Sequence, residues 1–311
     1  GRLSEWMGPK SIEIDEYMRF LGFRRQAKVM VQNKVLSDEN LAAMNQYSAG
    51  VNAFINTGWV PPSLRLVAGT KIEPWTAEDC VLIQKMLTWN LTNNWRDKYA
   101  NAAIGLNLGK DNINVLFPES QLMNHEDGLT TVSQSDYSNE IKASNQSLFD
   151  RYGMADLLDM PTKQRFDAFM AFEEQVLSRM GDDRTRAGGS NIWAVTGDKT
   201  LSGHPQMAND PHLSFKAPNL FHLVSLKWND HVLSGVNVPG APIIIIGQNE
   251  HIAWGFTNAH GDQSDLFYCD SNCPANVNVV KEIIKVKGQN DHVYEVSEVR
   301  LFDDESFDGV T

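Results

Sequence analysis

Two glycines followed by a serine, Gly188-Gly189-Ser190, are the residues of this chain best suited to covalent chemistry. Amide hydrolysis needs a nucleophile, a base whose pKa lies near the working pH, and donors for the developing oxyanion. A serine at the start of a polypeptide carries the first two itself, because a free α-amino group titrates at about 7.7–8.0. Inside a continuous chain that nitrogen is an amide and accepts no proton. A cut between Gly189 and Ser190 is therefore the activating event this pattern suggests, begun by attack of Ser190 Oγ on the Gly189 carbonyl in an N→O acyl shift. Gly188 and Gly189 leave the backbone room for the strained approach that attack requires. The plain alternative is a serine that opens a strand after a flexible linker, and a motif this short does not decide between the two.

Further along, Asn209-Asp210-Pro211-His212-Leu213 supplies a histidine in a returning strand or loop. Gly261-Asp262-Gln263-Ser264-Asp265 sets two carboxylates at a spacing that suits oxygen coordination of a hard cation such as calcium. The same two aspartates serve equally well as solvated turn residues. A metallohydrolase built on His204, Asp210, His212, His260 and Asp262 is a rival reading, but their spacing matches no ligand signature such as His-Glu-x-x-His. A second rival is a chain that keeps the fold without catalysis and serves as an interaction module.

The elements that must hold these residues fall into two kinds. Apolar residues recur at helical spacing over Ile12–Asn33, and Ser37 predicts the N-cap of a helix that closes at Gly58. Pro61-Pro62 breaks the pattern and predicts a connection to Glu73-Pro74-Trp75. Thr76-Ala77-Glu78-Asp79 resembles a capping box, with aspartate in place of the usual Glu or Gln, and opens a helix through Leu87 and Leu91. Residues 105–145 read as loop and short helix, and a further helix runs from Pro161 to Met180. Gly181–Gly189 is charged, glycine-bearing and without an apolar anchor, hence a linker. After Ser190 the pattern changes to short β-branched or aromatic runs: Ile192–Thr196, Gln206–Ala208, Phe221–Trp228, Val232–Val238, Pro242–Ile246, Ile252–Phe256, Asp265–Tyr268, Val279–Val286 and Val293–Leu301. Helices first and strands afterwards, without alternation, predict an α+β fold: a helical region 1–180, a linker 181–189 and a β-rich region 190–311.

Composition narrows the partners. A net charge of −12 argues against nucleic acid or an anionic membrane, since both call for a basic surface. The longest aliphatic run, Ile243-Ile244-Ile245-Ile246, is strand-sized and far from the roughly 20 residues a membrane span needs. Cys269 and Cys273 bracket a turn-like stretch and read either as a small disulfide or as two free thiols, whereas Cys80 reads as a small core residue inside a helix. The abrupt start at Gly1-Arg2-Leu3 reads as that of a piece of a longer protein.

Several blocks carry a resemblance. Ser190-Asn191-x-Trp193, Asn209-Asp210-Pro211-His212-Leu213, Pro239-Gly240-x-Pro242, Gly247-x-Asn249 and Trp254-Gly255-x-Thr257-Asn258, then Asp262 and Asp265-Leu266, resemble the penicillin acylase family in order and spacing. Gly1-Arg2-Leu3-Ser4-Glu5, Tyr47–Ala53 and Glu73-Pro74-Trp75-Thr76-x-Glu78-Asp79 are similar to that family's α chain. The resemblance implies the four-layered αββα core of the N-terminal-nucleophile hydrolases, present here in part, and hydrolysis of a linear amide with no cofactor in the chemistry. It implies that Ser190 begins a β chain after autocleavage of a precursor. It also implies that His212 stands beside that serine, where some penicillin G acylases have glutamine, and orients the serine and its amine. The competing reading is a histidine held by local hydrogen bonds after Pro211.

On the same resemblance the Asn258 backbone N–H is one oxyanion donor, and the second is an asparagine side chain past Thr311. Leu213, Ile246, Leu87 and Leu91 fall where penicillin G acylases line the acyl pocket, though each reads equally as core. Leucine and isoleucine where those enzymes carry phenylalanine lean towards an aliphatic acyl group. Asp262, the Ser264 carbonyl and Asp265, with Asp97, match a structural calcium site of some members. The family is generally exported, so the resemblance implies a periplasmic or secreted parent.

Overall fold

The computed structural model describes residues 1–68, 72–92, 95, 96, 99, 160–180, 189–213, 217–258 and 277–299. Helices α1 (Leu3–Met7), α2 (Ile12–Leu21), α3 (Phe23–Gln32), α4 (Asp38–Ile55), α5 (Pro62–Ala68), α6 (Ala77–Thr92) and α7 (Met160–Arg179) come first. Strands β1 (Gly189–Val195), β2 (Gln206–His212), β3 (His222–Trp228), β4 (His231–Asn237), β5 (Ile246–Gln248), β6 (Ala253–Trp254), β7 (Val277–Ile284) and β8 (His292–Val299) follow. This is the α+β order expected from the sequence. The residues form two compact units, one of 1–91, 176–261 and 272–311, the other of 92–175 and 262–271.

Three differences from the sequence expectation have a local reason. The helix predicted over Ile12–Asn33 is two helices, because Gly22 adopts φ +70° and ends α2 with its N–H on the Arg19 carbonyl. The connection that starts at Pro61-Pro62 contains a short helix that the sequence reading did not give it. Pro62 takes the first position of α5, where a missing N–H is harmless. The strand predicted over Pro242–Ile246 begins only at Ile246, after a turn in which Ala241 N–H bonds the Val238 carbonyl, and Ile243 is left exposed. The strand predicted at Asp265–Tyr268 and the loop at 105–145 lie outside the described residues.

Where side chains make local bonds, the expectation holds. Ser37 Oγ accepts the Asn40 N–H at 3.2 Å and caps α4. Asp79 takes the Thr76 N–H at 2.8 Å, and the Thr76 hydroxyl donates to the same carboxylate, so the short acid supplies its half of the box at the start of α6 while the Asp79 N–H bonds the Thr76 carbonyl. In the larger unit Ala27, Met44, Ala77, Cys80 and Val81 form a core joining α3, α4 and α6. Cys80 is fully buried, and its Sγ receives the Trp75 indole N–H. In the smaller unit Arg96 pairs with the wholly buried Glu173 at 2.6 Å, and Trp95 packs 5.5 Å from Phe169.

The described strands are antiparallel throughout: β1 with β2, the order β3-β4-β5-β6, and the hairpin β7-β8. Helices α2 and α3 hold the hairpin through charge. Glu282, only 9% exposed, accepts Arg19 at 2.7 Å and Arg25 at 2.6 Å, and Arg25 reaches on to Glu298 at 2.7 Å. Glu282→Ala takes from Arg19 its carboxylate and from Arg25 one of two, since Arg25 keeps Glu298. It is expected to lower the unfolding free energy by roughly 3 kcal/mol, seen as a lower denaturation midpoint at unchanged slope. The Tyr47 hydroxyl on α4 accepts the Gly240 N–H at 2.9 Å and fixes the β4–β5 turn to the helices.

Candidate active site

The register of β1 on β2 sets Gly189 opposite His212 and Ser190 opposite Pro211. Proline has no N–H to offer the Ser190 carbonyl, and that carbonyl is taken by the Thr257 hydroxyl at 3.1 Å. Thr257 belongs to the segment leaving β6, so one hydrogen bond places its neighbour, Asn258, beside the strand that carries the serine. The half-buried Ser190 donates its hydroxyl to the Gly189 carbonyl at 2.8 Å. The serine hydroxyl and the carbonyl before it are thus paired.

A second residue fastens the same segment. Asn209, on β2, accepts the Phe256 N–H at 2.8 Å and donates to the Phe256 carbonyl at 3.2 Å. The same amide nitrogen donates to the Asn191 carbonyl on β1 at 2.9 Å. One carboxamide therefore does the work of a missing strand between the β1–β2 pair and the segment after β6, satisfying both backbone groups of Phe256. Gly255 makes room for it, since a Cβ there would stand 2.5 Å from Asn209 Oδ1. Asn258 is tied from the other side, its side chain donating to the Leu91 carbonyl at 2.7 Å. Leu91 lies in the last turn of α6, where carbonyls lack intrahelical partners.

His212 ends β2. Its Nδ1 lies 3.5 Å from where a Cβ on Gly189 would stand, and its Nε2 is 3.1 Å from Asp210 Oδ2 and 3.3 Å from Asn191 Nδ2. The local hydrogen bonds of the competing reading are thus present, and the ring lies beside Gly189, the residue before the serine. One ring nitrogen cannot satisfy both polar neighbours in a single tautomer: with Nε2 protonated it donates to Asp210 and presents Nδ1 to Gly189.

The four apolar positions are less gathered. Leu91 meets this segment through its carbonyl, with its side chain 47% exposed, and Leu213, just past β2, is 41% exposed. Ile246 starts β5 opposite Val236, and Leu87 lies half-buried on α6. A cavity of about 170 Å³ in the larger unit lies instead between Tyr17, Phe23, Met86, Trp89, Leu177 and Met180. None of the four lines it. Asp97, Asp262, Ser264 and Asp265, together with His260, Cys269 and Cys273, lie outside the described residues. Among the described residues no three His, Cys, Asp or Glu side chains are grouped to hold a metal, so His204, Asp210 and His212 form no such site. No described helix is long and apolar enough to cross a membrane.

Sequence reasoning singled out Ser190, His212 and Asn258 but not Thr257, Asn209 or Gly255 as the parts that hold them together. Those three were visible only as members of the blocks Asn209–Leu213 and Trp254–Asn258.

The family described as Penicillin amidase matches residues 1–301. The acyl-homoserine lactone acylase QuiP of Pseudomonas aeruginosa is 27% identical over 86% of this chain and 29% of its own length. Penicillin acylase 2 proenzyme of Pseudomonas sp. strain SE83 is 27% identical over 86% of this chain and 31% of its own. Penicillin G acylase of Escherichia coli is 24% identical over 86% and 34%. The chain therefore spans about a third of the length of these curated relatives. No solved structure matches it. Because the match runs through the helical and the strand-rich parts alike, this chain belongs to the penicillin amidase family.

Proposed function

We propose that the protein to which this chain belongs is an acylase that hydrolyses a linear amide on Ser190, using the αββα N-terminal-nucleophile scaffold. The observation that supports the reading is the Thr257 hydroxyl on the Ser190 carbonyl, which links the residue before Asn258 to the strand of the proposed nucleophile. The relatives named above are acylases of acyl-homoserine lactones and of penicillins. Both substrates join an acyl group to an amine through an exocyclic amide, and that is the substrate class proposed here.

Maturation comes first. Ser190 Oγ attacks the Gly189 carbonyl carbon, the C–N bond to Ser190 breaks, and water hydrolyses the resulting ester. This leaves a carboxylate on Gly189 and a free α-amine on Ser190. In turnover that amine takes the hydroxyl proton as Oγ attacks the substrate carbonyl, with the oxyanion on Asn258 N–H, and passes it to the leaving amine. Water then releases the acyl group from Ser190. His212 orients the serine and its amine. Leu213 and Ile246 favour an aliphatic acyl chain over an aromatic one. The same reading puts the parent in the periplasm or outside the cell, as one precursor processed into α and β chains.

Intact mass and N-terminal sequencing of the full-length protein test the central step. Two polypeptides are expected, the second beginning Ser190-Asn191-Ile192. A fully active protein that remains one chain contradicts the mechanism.

A further inference from the structure

Among the described residues, the carboxamide of Asn209 is the one side chain bonded at once to β1, through the Asn191 carbonyl, and to both backbone groups of Phe256. Phe256 lies two residues before the proposed donor Asn258, and Asn191 directly follows the nucleophile. The β1–β2 pair and the β3–β6 sheet share no strand pairing among the described residues, so this amide and the Thr257 hydroxyl link β1 to the segment that carries Asn258. Gly255 is the necessary complement. A methyl group there would fall 2.5 Å from Asn209 Oδ1 and 2.8 Å from Ile192 Cδ1, the flexible tip of a side chain. The chemistry selects asparagine, because aspartate keeps the acceptor for Phe256 N–H but loses both donations, and alanine loses all three bonds.

We propose that Asn209 is a positioning residue for the acylase reaction, holding the Asn258 N–H at the place where the oxyanion forms, with Gly255 as the space that lets it do so. The inference rests on the reading of Ser190 and Asn258 given above. It adds a residue that touches neither substrate nor nucleophile and acts through Phe256. An oxyanion donor stabilises the transition state only when it is aimed at the developing charge, and a shift of about 1 Å is enough to lose about 100-fold in rate. Ground-state binding of the acyl chain does not depend on that alignment. Asn209 therefore affects kcat and leaves KM largely alone.

The test uses the full-length, matured protein and nitroanilides of phenylacetic and octanoic acid, whichever is turned over. Asn209→Ala is expected to lower kcat roughly 100-fold with KM within about threefold. Affinity for the matching tetrahedral mimic, benzyl- or heptylboronic acid, should fall in step with kcat, while affinity for the product carboxylic acid holds. Gly255→Ala is expected to reproduce the loss by pushing the amide aside. The double variant should be no slower than the worse single one, because the methyl then enters the space Asn209 vacated. If Asn209→Ala does not fold or mature, Asn209→Asp and Gly255→Ala decide the question, with the aspartate variant expected to lose kcat at unchanged product affinity.

The proposal is overturned if the folded variants keep kcat within about threefold of the parent. It is equally overturned if product and boronate affinities fall together, or if Asn209 and Gly255 losses simply multiply. A Ser190→Ala protein that still turns over amide would instead sink the underlying reading and leave the clamp as a purely structural feature.

Discussion

Ser190→Ala, introduced into the full-length protein, is expected to yield one uncut polypeptide in which amide turnover has dropped by roughly 10⁴- to 10⁶-fold. The two losses have one cause. The hydroxyl that would attack the Gly189 carbonyl is the hydroxyl that would later attack substrate, and no second nucleophile is bonded to that carbonyl among the described side chains. Maturation is read by intact mass and turnover by amine release. They separate the alternatives cleanly: a variant that is cut and inactive assigns Ser190 to turnover alone, and one that is cut and fully active removes it from both steps. Stability should change little, since the serine is half-buried and the described partner of its hydroxyl is the adjacent carbonyl.

The second large effect concerns a backbone atom. Asn258→Pro deletes the N–H proposed to stabilise the oxyanion and is expected to reduce kcat by about 10²- to 10³-fold. Asn258→Ala is the necessary comparison, because it keeps the N–H while removing the side-chain bond to the Leu91 carbonyl. That bond is worth roughly 1 kcal/mol of stability and should leave kcat within a few-fold of the parent. If the alanine variant loses as much kcat as the proline variant, the side chain and not the amide is what matters at this position, and Asn258 N–H is not the donor.

Much of the scaffold was legible because its causes are local. The Ser37 cap and the Thr76–Asp79 box are settled by residues three apart, and the change from helical to alternating periodicity after Ser190 is equally local. The misreadings were also local but finely balanced. Gly22 permits either a weak helix interior or a left-handed end, and its neighbours decided for the latter. Pro61-Pro62 stops one pattern, yet the second proline is well suited to start another. In the site, Ser190 stood out through the two glycines before it, and Asn258 through the block that ends in it. What joins them did not stand out. Asn209 and Phe256 are far apart in sequence, and the same asparagine would suit a turn or a cap just as well. Only the meeting of two strands shows that its amide has three backbone partners.

The ties between the parts before and after Gly189 also say what a chain break there would do. Arg19 and Arg25 hold Glu282 and Glu298, and Glu16 meets His292 at 2.7 Å. Tyr47 holds Gly240, and the Leu91 carbonyl holds Asn258. None of these contacts involves the severed peptide bond. If the chain is cut there as proposed, these contacts would hold the two pieces together as a heterodimer.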